Sequence, residues 1–177
     1  RVVKQLQDLD VYLIKINRSQ RHKSASGRYH VMVARESKKV KVIGNVEDLR
    51  REVRIEDRGN RTRSADHCVI IRIKLDNGDF IRVGIVFEGD EDGHDGTGYT
   101  EEGEQKKQFT IGEYLKGIGC DYGALVRTNF GSILEFDKQP GLMKVTKTVE
   151  VIKKIRERAI SRGKGGFVFE LDMIDYP

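Results

Sequence analysis

Short β-branched and aromatic segments, separated by charged turns, predict a mainly β or α+β domain. The expected form is an antiparallel sheet or sandwich, the jelly roll being one version, with a few short helices and one longer helix near the C-terminus. Three observations carry this: seven or so strand-like segments, one well-marked hairpin, and a single long amphipathic stretch at 144–162. The parallel alternation of a doubly wound sheet is not seen in the pattern. A chain of 177 residues has the length of a single domain, 1–177, with enough Val, Ile, Leu and Phe to fill one core.

Strand signals open the chain at Leu9–Ile16, Tyr29–Ala34 and Lys39–Ile43. Between the first two lies a polar connection, Asn17–Arg28, whose basic residues cannot be core. Val46, Leu49 and Val53 recur at helical spacing and predict a short amphipathic helix before a second basic loop, Arg54 to Arg63.

The hairpin follows. Val69, Ile71, Ile73 and Leu75 alternate onto one face, as do Ile81, Val83, Ile85 and Phe87. Asn77-Gly78 between them predicts a tight primed turn, because both residue types tolerate positive φ.

Residues 88–104 contain eight acidic residues and five glycines without apolar periodicity, and predict a long exposed loop. Beyond it, Thr110–Glu113 has capping-box spacing for a short helix closed by Gly117 or Gly119. Ala124–Arg127 and Phe130–Phe136 read as strands, the second stopped at Asp137–Gly141. In 144–162 strand alternation competes with a helical side made by Val149, Ile152, Ile155, Arg156 and Ala159. Length, terminal Lys and Arg, and Gly163 favour a helix over at least 149–161. Phe167–Ile174 closes the chain as a strand, with Phe167, Phe169, Leu171 and Met173 on one face.

Charge falls in three blocks. Residues 1–66 hold 17 Lys or Arg against 9 Asp or Glu, a net of +8; residues 67–104 hold 3 against 10, a net of −7; residues 105–177 hold 13 against 9, a net of +4. The overall +5 therefore conceals a basic front, an acidic middle and a basic rear, which bears on partners more than on fold. Cys68 and Cys120 have no CxxC partner, so buried free thiols in a reducing compartment are expected. No apolar run reaches the roughly 20 residues of a membrane span, and the start lacks a signal-peptide core, which points to a cytoplasmic, nuclear or virion setting. Arg1 in place of Met predicts that residues precede it.

No catalytic, metal or cofactor motif stands out. In the acidic loop an EF-hand frame from Glu91 places Gly96 and Glu102 correctly, but Gly93 occupies the third ligand position and no flanking helices are expected. A contact for a basic partner fits that loop better. Nuclease chemistry needs carboxylates converging beside a lysine; Asp76, Asp79 and Glu88, with Lys74, lie at the two ends of the hairpin. His22, His30, His67 and His94 are scattered, and Gly163-Lys-Gly-Gly166 follows a helix instead of preceding one.

Polyanion binding is the remaining signal. Arg18, Arg21, Lys23 and Arg28 share one loop; Arg54, Arg58, Arg61 and Arg63 share another; Lys38, Lys39 and Lys41 flank a strand between them. Gathered at one end of a sheet, they would track a phosphate backbone with little base specificity. The expected function is a non-enzymatic, self-associating nucleic-acid-binding protein of the viral coat (capsid) or matrix kind, its oppositely charged blocks allowing contact between copies. The alternatives are a metal-dependent enzyme acting on nucleic acid, or a basic membrane-surface or protein-interaction module.

Overall fold

The computed structural model describes residues 33, 36–37, 46–56, 62–91, 101–131 and 142–174. They form an α+β unit around one mixed five-stranded sheet in the order β1-β2-β3-β4-β5. Its elements are β1 (Val46–Glu56), β2 (Thr62–Lys74), β3 (Phe80–Glu91), α1 (Glu101–Gly117), β4 (Tyr122–Gly131), α2 (Leu142–Arg162) and β5 (Val168–Ile174). The first three strands make an antiparallel meander, whereas β3, β4 and β5 run parallel through the helical crossovers α1 and α2. The α+β alternative is the one that forms; the expected antiparallel sheet, sandwich or jelly roll gives way to a sheet that is half parallel and is covered by helices. Strands joined through long helices can return to the same end of the sheet, which short turns do not allow.

Both sheet faces are buried. The hairpin residues expected on one face, Val69, Ile71, Ile73, Ile81, Val83, Ile85 and Phe87, pack with Val145, Val149, Ile152, Ile155 and Ala159 of α2. The opposite face holds Cys68, Ile70, Val86 and Leu125 under Ile111 and Leu115 of α1, with Phe167 and, on β5, Phe169 and Leu171 at its margin. Met173 departs from that stripe and is exposed. Because β3, β4 and β5 advance in one direction while their two crossover helices cover opposite faces, the crossovers are of opposite hand. One of them has the rarer, left-handed sense.

Several local readings change. Val46–Val53 is strand, not helix, because pairing with β2 along its length outweighs a three-residue apolar spacing. Val33, Glu36 and Ser37 are helical, so the strand expected at Tyr29–Ala34 is not formed at Val33, which is buried against the α2-side core. The acidic segment is trimmed at both ends, since residues 88–91 continue β3 and residues 101–104 begin α1; residues 92–100 lie outside the described residues. Thr110 does not cap a helix: it sits within α1, and its hydroxyl donates to the Lys106 carbonyl at 2.7 Å. The strands expected at Leu9–Ile16 and Lys39–Ile43 lie outside the described residues, as does most of 130–136.

The hairpin turn has a three-residue loop in place of a two-residue primed turn. Gly78 N–H donates to the Leu75 carbonyl at 3.0 Å, Leu75 N–H to the Asp79 carbonyl at 2.8 Å, and Gly78 takes φ +90°. This is the turn-plus-glycine-bulge connection, which suits the twist of the strands as well as a primed turn does. At the end of α1, Cys120 N–H reaches the Leu115 carbonyl (3.0 Å) and Gly119 N–H the Lys116 carbonyl (3.1 Å), a Schellman closure that needs Gly119 at φ +87°. Both cysteines are buried free thiols.

Leu115 is seated by a pair of glycines. Gly84 and Gly123 are partners across β3 and β4, and a Cβ on either would stand 2.7 or 2.8 Å from a Leu115 methyl. Gly84→Ala also meets Cys120 Sγ at 2.9 Å, so the expected outcome is overpacking that costs about 1–3 kcal/mol. A urea melt of the variant beside the parent, at unchanged slope, measures it.

Candidate functional site

In a parallel pair the carboxyl ends of the strands coincide, and a side chain there sits at the mouth of the crevice beside the crossover helix. Glu88 of β3 and Arg127 of β4 occupy such positions as direct register partners. Both lie on the α1 side of the sheet and both are buried, at 6% and 4% exposure, so neither charge can rely on water.

The helix supplies the matching charges. Lys107 Nζ lies 2.6 Å from Glu88 Oε1, and Arg127 Nε lies 4.0 Å from Glu88 Oε2. The Arg127 guanidinium also donates to the carboxylate of Glu104. Glu104 and Lys107 are three residues apart on α1 and so share one helix side. Two carboxylates and two cations thus alternate from strand to helix. Lys106 and Glu102, by contrast, pair at 3.3 Å on the exposed side, where such a bridge contributes little.

The backbone register brings further carboxylates to this end of the sheet. Glu52 and Asp66 stand between the paired rungs Arg51↔His67 and Val53↔Ala65. The pairing of β2 with β3 ends at His67↔Phe87, so Asp66 and Glu88 each stand one residue beyond its last rung. Glu52 and Asp66 on β1 and β2, and Glu88 and Arg127 on β3 and β4, therefore stand at the same end of the sheet. Among the described residues no three Cys, His, Asp or Glu side chains gather into a metal-holding group.

Asp76 and Asp79, the carboxylates grouped with Glu88 by sequence, flank the hairpin loop at the opposite end of β3 and do not converge on it. Glu88 itself is buried instead of belonging to an exposed loop. Of the basic residues read as a nucleic-acid surface, Arg54 lies in β1 and Arg63 in β2, not in the loop between them, on adjacent rungs marked by Arg54↔Ser64 and Ile55↔Arg63. Arg63 is three residues before Asp66, so this pair stands at the same end of the sheet as Glu88. Arg18, Arg21, Lys23, Arg28, Lys38, Lys39, Lys41, Arg58 and Arg61 lie outside the described residues. Sequence reasoning missed Glu104, Lys107 and Arg127. A usable signal was Arg127 itself, a charge closing the apolar run Ala124-Leu125-Val126.

A second ionic cluster sits on the α2 side. Arg158 of α2 reaches Glu170 at 2.9 Å and Asp172 at 3.2 Å on the edge strand β5, while Tyr122 of β4 lies beside Glu170. Burial, then the hydrogen bond to Glu170, pushes the Tyr122 phenol up to about 12. Burial likewise raises the Glu170 carboxyl above its ordinary value, against the pull of Tyr122 and Arg158. This cluster ties the last strand to the helix that precedes it.

Comparison with protein-family models, with curated proteins and with solved structures returns no match. Among the described residues no helix is long and apolar enough to cross a membrane.

Two outcomes follow. Arg127→Met leaves Glu88 and Glu104 without their shared cation and is expected to lower stability by about 3–5 kcal/mol, read from chemical denaturation. One of the six tyrosines is expected to ionise about two pH units above the ordinary value near 10, seen as a late phase in alkaline absorbance titration and absent in Tyr122→Phe. The native fold keeps this phenol protonated where the unfolded chain releases its proton. Its contribution to stability is therefore complete below pH 10 and is lost as the pH rises toward 12.

Proposed function

We propose that the chain is a divalent-metal-dependent enzyme that hydrolyses the phosphodiester backbone of nucleic acid. The observation that carries this is buried Glu88 beside Lys107 and Arg127, at the end of the sheet where Glu52 and Asp66 stand on the neighbouring strands. Carboxylates beside a lysine are what metal-assisted phosphoryl chemistry requires, oxygen ligands for a hard cation next to a mobile positive charge. Glu88 is the described carboxylate that would hold the ion, with Glu52 and Asp66 at the same end of the sheet. A bound divalent ion supplies a water acidic enough to attack phosphorus at neutral pH. Lys107, now paired with Glu88, is placed to meet the charge that develops on the phosphoryl oxygens, and Arg127, held by Glu104, keeps Glu88 in position. Arg54, two residues from Glu52 on β1, supports phosphate tracking toward this site.

A second reading is a non-enzymatic nucleic-acid-binding protein of the coat or matrix kind. It is favoured by the matching of Glu88 and Glu104 with two cations, a pattern that can serve only to fasten α1 to the sheet.

The test is incubation of the full chain with single- and double-stranded DNA and RNA, with Mg²⁺ or Mn²⁺ and with chelator. Metal-dependent cleavage is expected, and Glu88→Gln, its fold checked by circular dichroism, is expected to reduce it by about 100-fold or more. Cleavage that survives Glu88→Gln overturns the assignment of this site. Salt-sensitive binding without cleavage in any metal selects the second reading.

A further inference from the structure

The hairpin end of the sheet carries a group of cations unlike the others. Arg72 and Arg82 are direct partners across β2 and β3, followed one step along each strand by the partners Lys74 and Phe80. By strand alternation all four share the α1 side with Ile70 and Gly84. The helix ends before covering them. Arg82 is engaged there, its guanidinium donating to the Ile118 carbonyl and its own carbonyl accepting from Asp121 N–H at 2.8 Å.

Beyond that point the described residues leave the surface uncovered. Phe80 is 39% exposed, with the Arg72 guanidinium 3.9 Å and the Lys74 ammonium 5.9 Å from its ring centroid. Among the described residues neither Arg72 nor Lys74 meets a carboxylate, whereas Lys106, Lys107, Arg127 and Arg158 all do. Two like charges placed opposite each other on antiparallel strands weaken the pairing. An exposed aromatic ring between cations adds nothing to the core.

We propose that Arg72, Lys74 and Phe80 form a contact for an unpaired stretch of nucleic acid, a base displacing the Arg72 guanidinium from the Phe80 ring and its flanking phosphates drawing the two cations. This rests on the proposed nucleic-acid substrate and gives it a second point of attachment. The combination suits single strands: their bases offer a π-face that a duplex hides, and their phosphates need positive charge beside it. Phe80 and Glu88 are eight residues apart on one strand and on one side of it, a distance of about 26 Å. A strand held at the hairpin would thus approach the carboxylates from a fixed direction.

The experiment is fluorescence anisotropy of the full chain with labelled oligothymidylate and with a blunt hairpin duplex, in chelator, so that binding is read without cleavage. Phe80→Ala is expected to weaken single-strand binding about fivefold or more while changing duplex binding little, and Phe80→Tyr to restore it. Arg72→Gln with Lys74→Gln is expected to reduce the slope of log affinity against log salt by about 1.4, two single-strand phosphates. These positions are exposed, and matching melting curves guard against unfolding. Unchanged single-strand affinity in both variants overturns the proposal, and metal-dependent cleavage persisting in them shows that the catalytic reading stands without it. Loss of cleavage in Glu88→Gln alongside normal single-strand binding supports the two sites as separate.

Discussion

Burial of the sheet on both faces is the constraint from which the rest of the structure follows. Once α2 covers one side of β2, β3 and β4 and α1 the other, a polar side chain on an inner strand has no water to turn to. Glu88 is in that position, and it fixes what must lie above it. Lys107 answers one of its oxygens, Arg127 approaches the other, and Glu104 balances Arg127. The same charges that face Glu88 fix which side of α1 meets the sheet. The glycine pair Gly84 and Gly123 sets the height of α1 by admitting Leu115 to the sheet surface. A charge network at one end of the helix and a steric notch nearer the other define its seat.

The core was legible in the sequence because it depends on periods the backbone imposes. Alternation in 69–75 and 81–87 reports a strand pair whatever its neighbours do, and the five buried positions of α2 recur at helical spacing through a segment that also alternates. The continuous apolar run Cys68-Val-Ile-Ile71 also carried the sign of a strand buried on both faces. What escaped is decided between elements. In β1, Val46, Leu49 and Val53 carry a helical spacing that pairing with β2 overrides. The parallel half of the sheet leaves no mark within any single strand. In α1 the large buried side chains are Ile111 and Leu115, both past its first ten residues, which look like the polar loop they follow.

The charge blocks described the chain faithfully but averaged over the arrangement that matters. An acidic middle of net −7 reads as one exposed loop, yet it is divided among a strand end that buries Glu88, a helix that places Glu104 against Arg127, and the residues between them. Asp66 belongs to the basic block by position and to the carboxylate end of the sheet by register. No count along the chain brings residues 52, 66, 88, 107 and 127 together. Two antiparallel registers, one parallel register and one helical crossover do so, and each is a property of the fold.

Folding alone does not account for where the like charges stand. Neighbouring strands are about 4.8 Å apart, and like charges on directly opposed residues oppose pairing. Glu52 opposite Asp66 places two acidic residues together at the end of the sheet that holds Glu88, and Arg72 opposite Arg82 places two basic residues together at the hairpin end. A sequence shaped only for stability would alternate signs at both places, as it does between Glu88, Arg127 and Glu104. Under the proposed function the acidic cost would be offset by a cation and the basic cost by phosphates. Both sets fall on the α1 side of the same β2–β3 hairpin, so one polyanion with its counter-cation could meet the two ends at once. Under the proposed reading, the sheet keeps two unfavourable pairings because the substrate and its metal complete them.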